Sequence, residues 1–249
     1  MRAVLALMLA VALPVAGSHT QDFEREARWR AEVVPGLVVG EAVDIPGPGA
    51  RPFLGLLTET AGVDRAVTTL LVLVHGIGVH PDHGIVGRLR MDLADKGFAT
   101  LSIQMPVLAS DAPPEHYEPL FGNAAERIAN AAAWSRARGY RDLVLVSHSL
   151  GNRMSNAYFD RAAKPDFRAW VALGLGAPFS TRLAQQPRIP VLDVHGELDL
   201  DSVRETAPSR AKVAASSGGQ QHRIAGADHF YSGHESELVA LIVTFASRK

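Results

Sequence analysis

The most constraining stretch of the chain is an apolar run that leads directly into a serine flanked by small residues. Residues 143–146 have the composition of a buried β-strand, and Ser147-His-Ser-Leu-Gly151 follows them without a spacer. Residues 152–163 then have helical character. A strand that turns this abruptly into a helix places Ser149 on a sharp bend with its hydroxyl exposed, which is the layout of a nucleophile elbow.

The positions two residues before and after Ser149 must be small, because a larger side chain would collide with neighbouring backbone in so tight a turn. The later position is Gly151, whereas the earlier one is Ser147, where glycine is usual. A second stretch, Ala215-Ser-Ser-Gly-Gly219, has the same small-x-Ser-x-Gly spacing. No apolar strand precedes it and no helical pattern follows it, so we interpret it as a polar loop and favour Ser149.

Strand and helix patterns alternate along most of the chain. The continuous apolar run at residues 69–74 predicts a strand buried on both faces. This alternation predicts βαβ units with right-handed crossovers, and hence an α/β fold with a mostly parallel central sheet and helices on both faces. Ligands of such sheets bind beyond the carboxyl ends of the strands. The other predicted strands are 43–45 and 53–58, which we expect to be antiparallel, then 98–103, 143–146, 170–175, 189–194 and 222–224.

The N-terminus has the pattern of an export signal. Met1-Arg2 is followed by an apolar stretch, residues 3–16, and by small residues at Ala16-Gly17-Ser18. This pattern predicts a cleaved signal peptide over residues 1–18, with an uncleaved anchor as the alternative. We expect a leader over residues 19–42, a short helix or a mobile segment at 21–32, and one domain over 43–249. The predicted location is periplasmic or extracellular, without integral membrane association after cleavage.

Composition limits the remaining function classes. The chain has 249 residues, 47% of them hydrophobic, and a formal charge of -1. This length is enough for one large core, and the neutral charge balance gives no indication of a nucleic-acid partner. The absence of cysteine excludes disulfides and thiol-linked lipids. The sequence leaves the oligomeric state open.

A serine nucleophile requires a base, and the base requires a carboxylate that fixes its tautomer. His229 is the predicted base because it lies between the last strand pattern and the C-terminal helix, with His234 as the alternative. Asp199 is the predicted acid because it lies in the turn after strand 189–194. The chain order serine, acid, histidine is the one expected after an elbow of this kind. The competing carboxylates are Asp193, Glu197 and Asp201.

An oxyanion formed at Ser149 needs rigid N–H donors, which are usually backbone groups. One predicted donor is the N–H of Leu150, immediately after the serine. The other is expected from the loop His75-Gly-Ile-Gly78, which follows the buried strand 69–74. Its glycines allow the backbone to bend inward, and either Ile77 or Gly78 would be the donor.

Four of these motifs together resemble the α/β-hydrolase superfamily, over the chain from about Val43 onward. They are Leu73-Val-His-Gly-Ile-Gly78, Val146-Ser-His-Ser-Leu-Gly151, the turn 195–199 and Ala227-Asp-His229. Residues 75–82 and 100–107 are more narrowly similar to a bacterial exported α/β-hydrolase-like family of unassigned function. The resemblance implies the α/β-hydrolase fold and the triad roles of Ser149, Asp199 and His229, but no substrate. We expect a short or minimal cap.

The predicted function is that of a serine hydrolase, most simply a carboxylic-ester hydrolase that acts on a small ester-like molecule without a cofactor. One alternative is a non-catalytic exported binding or assembly protein on the same scaffold. Another is a metal-dependent hydrolase, because one loop contains His75, His80, Asp82 and His83. No second cluster at ligand spacing completes that site, so we predict no metal. Residues 106–121 are a candidate lid or pocket rim, or else a solvated excursion. We expect His148 to pack beside the elbow.

Overall fold

The protein is described by a computed structural model that covers residues 20–185 and 189–248. The predicted signal peptide, residues 1–18, lies outside the described residues. The strands are β1 (Glu41–Ile45), β2 (Phe53–Thr58), β3 (Thr69–Val74), β4 (Ala99–Ile103), β5 (Asp142–His148), β6 (Ala169–Leu173), β7 (Val191–Gly196) and β8 (Gln220–Ile224). The α-helices are α1 (Phe23–Val33), α2 (Gly84–Asp95), α3 (Phe121–Ala137), α4 (Leu150–Arg161), α5 (Thr181–Gln185), α6 (Asp201–Ser216) and α7 (Glu235–Ala246). Short 3-10 segments occupy Val34–Gly36, Pro48–Ala50 and Pro114–Leu120.

The eight strands form one sheet in the order β1-β2-β4-β3-β5-β6-β7-β8. β1 and β2 are antiparallel to their neighbours, and the six strands from β4 to β8 in this order run parallel. The predicted mostly parallel sheet, with two antiparallel strands before it, is therefore confirmed. The chain leaves β3 toward β4 on one side, and later crosses to β5 on the other. Strands β3 and β5 thus flank a topological switch point, where a crevice forms beyond their carboxyl ends.

The core lies on both faces of the sheet because the central strands contain continuous apolar runs. In β3, Leu70 and Val72 pack in the cluster that contains α3 and α4 residues, whereas Leu71 and Leu73 pack in the cluster that contains α2 and α7 residues. Alternate side chains of a strand point to opposite faces, so a continuous apolar run buries both. Helices therefore cover the sheet on each side and leave the strand ends free for a site.

The N-terminal segment folds onto the sheet. Residues 21–32, for which the sequence left a mobile segment open, lie largely within α1, and the Asp22 side chain caps the helix by accepting from the Arg25 N–H at 2.8 Å. Val33 packs against Leu54 and Leu56 of β2. β1 begins at Glu41, so the boundary predicted at residue 43 falls inside a strand. In the part of the chain that the structure describes, no helix is long and apolar enough to span a bilayer.

One local interpretation needs correction, and one alternative that the sequence left open is excluded. The stretch 215–219 is not a polar loop, because it closes α6 and leads into β8. There the Ser217 hydroxyl donates to the Ala214 carbonyl at 2.7 Å and accepts from the Val191 N–H at 3.0 Å. Residues 106–121 are not simply a solvated excursion, since Tyr117 and Leu120 are buried in the core. Helix α5 has only five residues and was not predicted, because so short a helix carries no periodic pattern.

Candidate active site

Ser149 lies at the turn between β5 and α4 in a strained backbone conformation, with φ 54° and ψ -124°. Positive φ is uncommon for a residue other than glycine and costs about 1–3 kcal/mol, so the surrounding structure must impose it. The Ser149 N–H donates to the Leu173 carbonyl at the end of β6, at 2.9 Å. The turn thereby holds the serine at the carboxyl edge of the sheet, beside the switch point.

The small residues around Ser149 have different roles. A Cβ at Gly151 would lie 2.5 Å from the His75 carbonyl oxygen, so only glycine fits there. Ser147, at the other small position, is accommodated and forms hydrogen bonds: its hydroxyl donates to Asn152 Oδ1 at 2.8 Å and accepts from Trp170 Nε1 at 2.7 Å. This serine therefore joins β5, α4 and β6 in a buried polar network, which the sequence motif alone did not reveal.

Three predicted side chains meet in a hydrogen-bonded chain. The Ser149 hydroxyl lies 2.9 Å from His229 Nε2, and His229 Nδ1 lies 2.6 Å from Asp199 Oδ1. Asp199 lies in the loop after β7, and His229 lies in the loop after β8. All three residues therefore come from the carboxyl ends of strands, where the sequence pattern placed them.

The competing residues are occupied elsewhere. Asp193 lies in β7 in a buried ion pair with Arg210 at 3.0 Å. The Glu197 carboxylate accepts from the Gly226 N–H at 2.9 Å, and Asp201 pairs with a neighbouring arginine on the surface of α6. His234 precedes α7 and lies 3.9 Å from a carboxylate of that helix.

The environment of Asp199 favours its ionised form. Burial by itself would raise the pKa of this carboxyl, but the hydrogen bond and positive charge that His229 supplies lower it, as do the N–H groups of Leu200 and Gly196, at 2.8 and 3.2 Å. The net pKa of Asp199 lies below its ordinary value. An ionised Asp199 accepts from His229 Nδ1–H, which leaves Nε2 free to accept the hydroxyl proton of Ser149.

His148 holds the loop of His229 against the elbow. Its ring is buried, and Nε2–H donates to the backbone carbonyl of His229 at 2.9 Å. Burial lowers the pKa of His148 to about 4, so the ring is neutral at pH 7. The packing of His148 beside the elbow was expected from the sequence, but its hydrogen bond to His229 was not. No local pattern links two residues that are 81 positions apart.

The loop after β3 passes directly against Ser149. A Cβ at Gly76 would lie 3.2 Å from the Ser149 Cβ, which is tighter than an ordinary contact. Ile77 lines the same cavity as Ser149, whereas Gly78 lies against Tyr117 and Arg25. Leu150 begins α4, so its N–H is one of the donors that a helix leaves unpaired at its N-terminus. Of the two donors left open in the loop, Ile77 is therefore the better placed.

The histidines of the 75–83 loop have protein partners. His75 is fully buried; its Nε2 accepts from the Met105 N–H at 2.9 Å, and burial lowers its pKa to about 3. The His80 ring packs in a tilted arrangement against Trp29, with 5.8 Å between ring centres, and meets the His83 ring edge to face. Within residues 20–185 and 189–248, no group of three or more acidic or histidine side chains has a geometry suited to a metal ion.

A cavity of about 420 Å³ opens at Ser149 and His229. No acidic or basic side chain other than histidine occurs in its lining, as far as the described residues go. A ligand held here would meet mostly hydrocarbon next to the serine hydroxyl. The apolar side chains of the lining are Ile77, Val79, Ile85, Val86, Leu200 and Phe230.

Comparison with known proteins yields structural matches only. No family model matches the chain, and no curated protein matches its sequence. An alpha-beta serine hydrolase homologue from Coxiella burnetii superimposes with a TM-score of 0.60 at 18% identity, over 84% of this chain and 98% of that one. The chain has the α/β-hydrolase fold. A dienelactone hydrolase from Anabaena variabilis gives a TM-score of 0.65 at 19% identity, over 82% and 94%. An esterase from a Rhodococcus species gives 0.60 at 15%, over 83% and 98%.

These likenesses confirm the predicted α/β-hydrolase fold. At 15–19% identity they establish the fold alone, and the narrower resemblance to an exported family stays a prediction. The α/β-hydrolase fold hosts several chemistries, so activity must be argued from the site.

Proposed function

We propose that this protein is a serine hydrolase that cleaves small carboxylic esters through an acyl-enzyme on Ser149. The observation that carries the proposal is the unbroken hydrogen-bonded chain from Ser149 through His229 to Asp199 at the mouth of an apolar cavity. The strained elbow adds support, because backbone strain of this kind persists at sites where it has a use. The esterase and the dienelactone hydrolase among the structural matches also favour ester chemistry.

Acylation begins with attack of the Ser149 hydroxyl oxygen on the ester carbonyl carbon. His229 Nε2 takes the hydroxyl proton, and the ionised Asp199 stabilises the imidazolium that forms. The carbonyl oxygen becomes an oxyanion, which we assign to the N–H groups of Leu150 and Ile77, with Gly78 as the neighbouring alternative donor. Collapse of this intermediate breaks the bond to the alcohol oxygen, which receives the proton from His229.

Deacylation repeats these steps with water. His229 takes a proton from a water molecule, whose oxygen attacks the acyl carbon. The second oxyanion collapses, the bond to Ser149 breaks, and His229 returns the proton to the serine oxygen. The products are an alcohol and a carboxylic acid, and every proton is accounted for by His229 without a cofactor.

We further propose that the substrate carries an uncharged, apolar acyl or alcohol group. The cavity lining is mostly hydrocarbon, and among the described residues it contains no acidic or basic side chain other than histidine. Each methylene group that enters such a cavity should gain about 0.8 kcal/mol, or about fourfold in kcat/KM, until the space is filled. Hydrolysis of p-nitrophenyl esters from acetate to decanoate measures this trend. A profile that does not rise with chain length would contradict the assignment of the cavity as substrate site.

The hydrolase proposal is tested with a fluorophosphonate probe that labels activated serines. We expect native protein to be labelled, and Ser149→Ala to lose both labelling and ester hydrolysis. The matched control is Ser217→Ala, because this serine has the same small-x-Ser-x-Gly spacing but lies at the end of α6. It should be labelled like wild type.

The same experiment separates the alternatives. Native protein that resists labelling, together with equal ester hydrolysis by wild type and Ser149→Ala, would support the non-catalytic scaffold. Loss of hydrolysis on chelation would support a metal-dependent reaction, to which a serine hydrolase should be indifferent. We also propose that the protein is exported, and N-terminal sequencing of the mature chain would show cleavage near residue 18.

A further inference from the structure

Helix α1 reaches the loop that carries the proposed oxyanion donor. The guanidinium of Arg25 donates from Nη2 to the Gly78 carbonyl at 2.9 Å and from Nη1 to the Leu108 carbonyl at 2.8 Å. It also lies 4.5 Å from the centre of the Trp29 ring on the same helix. One half-buried side chain thus joins the loop after β3, the loop after β4 and the N-terminal helix.

The other end of the loop at 75–78 is held through a separate set of contacts. His75 Nε2 accepts from the Met105 N–H at 2.9 Å and lies 3.1 Å from Gln104 Nε2. The Gln104 carbonyl accepts from Arg127, which is paired at 2.9 Å with Glu26 of α1. Both ends of the loop are therefore fixed, and α1 contributes to each.

The hydrogen bond from Arg25 to the Gly78 carbonyl restrains a flexible part of the loop. Gly78 has a φ of 62°, and a glycine backbone rotates more freely than any other. Hydrogen bonds from a charged donor are about twice as strong as neutral ones, so the contact with Arg25 fixes the orientation of the Gly78–Val79 peptide group, two peptide units after the one that carries the Ile77 N–H. Preorganised N–H donors stabilise an oxyanion only if they need not reorient as the charge develops.

We propose that Arg25 is a positioning residue for the oxyanion loop, which keeps the N–H of Ile77 directed at the oxygen of the substrate bound on Ser149. The N-terminal helix is then part of the support of the active site and not merely a leader that precedes the domain. This inference rests on the proposed serine hydrolase function, because it assigns a role within that same site.

A matched control lies one turn further along the same helix. Arg30 is ion-paired with Asp44 of β1 at 2.8 Å, and both side chains are substantially exposed. This pair fastens α1 to the sheet without contact to the loop at 75–78. Arg30→Met therefore removes an anchor of α1, whereas Arg25→Met removes an anchor of α1 and the contact with Gly78.

The test measures kcat and KM for p-nitrophenyl butyrate and the melting temperature. It also measures the Ki of a butyl trifluoromethyl ketone, because this inhibitor forms an oxyanion on serine. Loss of one oxyanion donor costs about 10²–10³-fold in kcat, so a misdirected donor should cost less, about tenfold. We expect Arg25→Met to lower kcat about tenfold and to weaken the ketone by a similar factor, with KM within about twofold. Arg30→Met should keep the wild-type kcat and Ki.

A purely structural role would lower the melting temperature of Arg25→Met without change in kcat or Ki, and that result would overturn the inference. If Arg25→Met does not fold, Arg25→Gln provides the same comparison of kcat, Ki and melting temperature, because its shorter side chain cannot span the two carbonyls. If Ser149→Ala is inactive while both Arg25 variants match wild type, only this inference fails. If Ser149→Ala retains wild-type activity, both the proposed function and this inference fail.

Discussion

Restoring the usual glycine of the elbow motif should weaken this protein. Ser147 has its hydroxyl between Trp170 Nε1, at 2.7 Å, and Asn152 Oδ1, at 2.8 Å, and all three residues are buried. Ser147→Gly leaves an indole N–H and an amide oxygen without this partner in a region closed to water. The variant tests whether the serine is a hydrogen-bonded support or only a tolerated small residue.

The magnitude follows from the two partners that lose their hydrogen bond. A buried polar group left unpaired costs about 1–3 kcal/mol, so Ser147→Ala should lower the free energy of unfolding by about 2–4 kcal/mol after some relaxation. Glycine within a strand costs about 0.5–1 kcal/mol more than alanine. For a domain of this size, about 1 kcal/mol corresponds to about 2–4 °C in melting temperature, so Ser147→Gly should melt about 5–20 °C lower.

Urea unfolding followed by circular dichroism measures the loss, and a double-mutant cycle assigns it. Trp170→Phe removes the donor and creates a gap in both backgrounds, but in the Ser147→Ala background it also removes an N–H that the first substitution had left unpaired. The two substitutions should therefore be non-additive, with a coupling of about 1–2 kcal/mol. A Ser147→Gly variant as stable as wild type, or strict additivity in the cycle, would refute the reasoning.

Two further predictions concern protonation. Asp199→Asn should lower kcat by about 10³–10⁴-fold with little change in KM, because an amide no longer fixes the tautomer of the base; steady-state kinetics on p-nitrophenyl butyrate checks this. His75 and His148 are buried with pKa values of about 3 and about 4, below the ordinary 6.5, so the unfolded chain binds protons that the folded chain does not. Stability should therefore be greatest above about pH 6.5 and fall as the pH is lowered toward 4. Thermal melts from pH 7.5 to 4.5 measure it, and a flat profile would contradict the assignment.

The central fold was predictable because buried parallel strands carry their signal in every residue. β3 after Thr69 and the middle of β5, residues 143–146, are continuously apolar, and both strands were predicted to within two residues of their ends. β8 is harder to recognise: it forms the edge of the sheet and most of its residues are partly exposed, so only three of its five residues were predicted. The convergence of Ser149, Asp199 and His229 was also predictable, because parallel strands bring their carboxyl ends to one edge.

Contacts between loops were not predictable in the same way. The hydrogen bond from Arg25 to Gly78 links residues 53 positions apart, and neither residue belongs to a motif that names the other. The bond between Trp170 and Ser147 links two strands whose apolar patterns are each satisfied without it. Local patterns report which face of an element is buried, whereas such polar contacts depend on how the elements are placed in three dimensions.

The approach of His229 to Ser149 also depends on contacts between residues that are far apart in the sequence. Their strands, β5 and β8, are separated by β6 and β7, so the two strand ends are about 14 Å apart at a spacing of about 4.8 Å. The loop after β8 must fold back across that gap. It is held by the Leu198 N–H, which donates to the Ala227 carbonyl at 2.9 Å, and by His148, which donates to the His229 carbonyl at 2.9 Å. His148 occupies a variable position of the elbow motif, so a residue that the motif leaves unspecified supplies one of the contacts that bring His229 to Ser149.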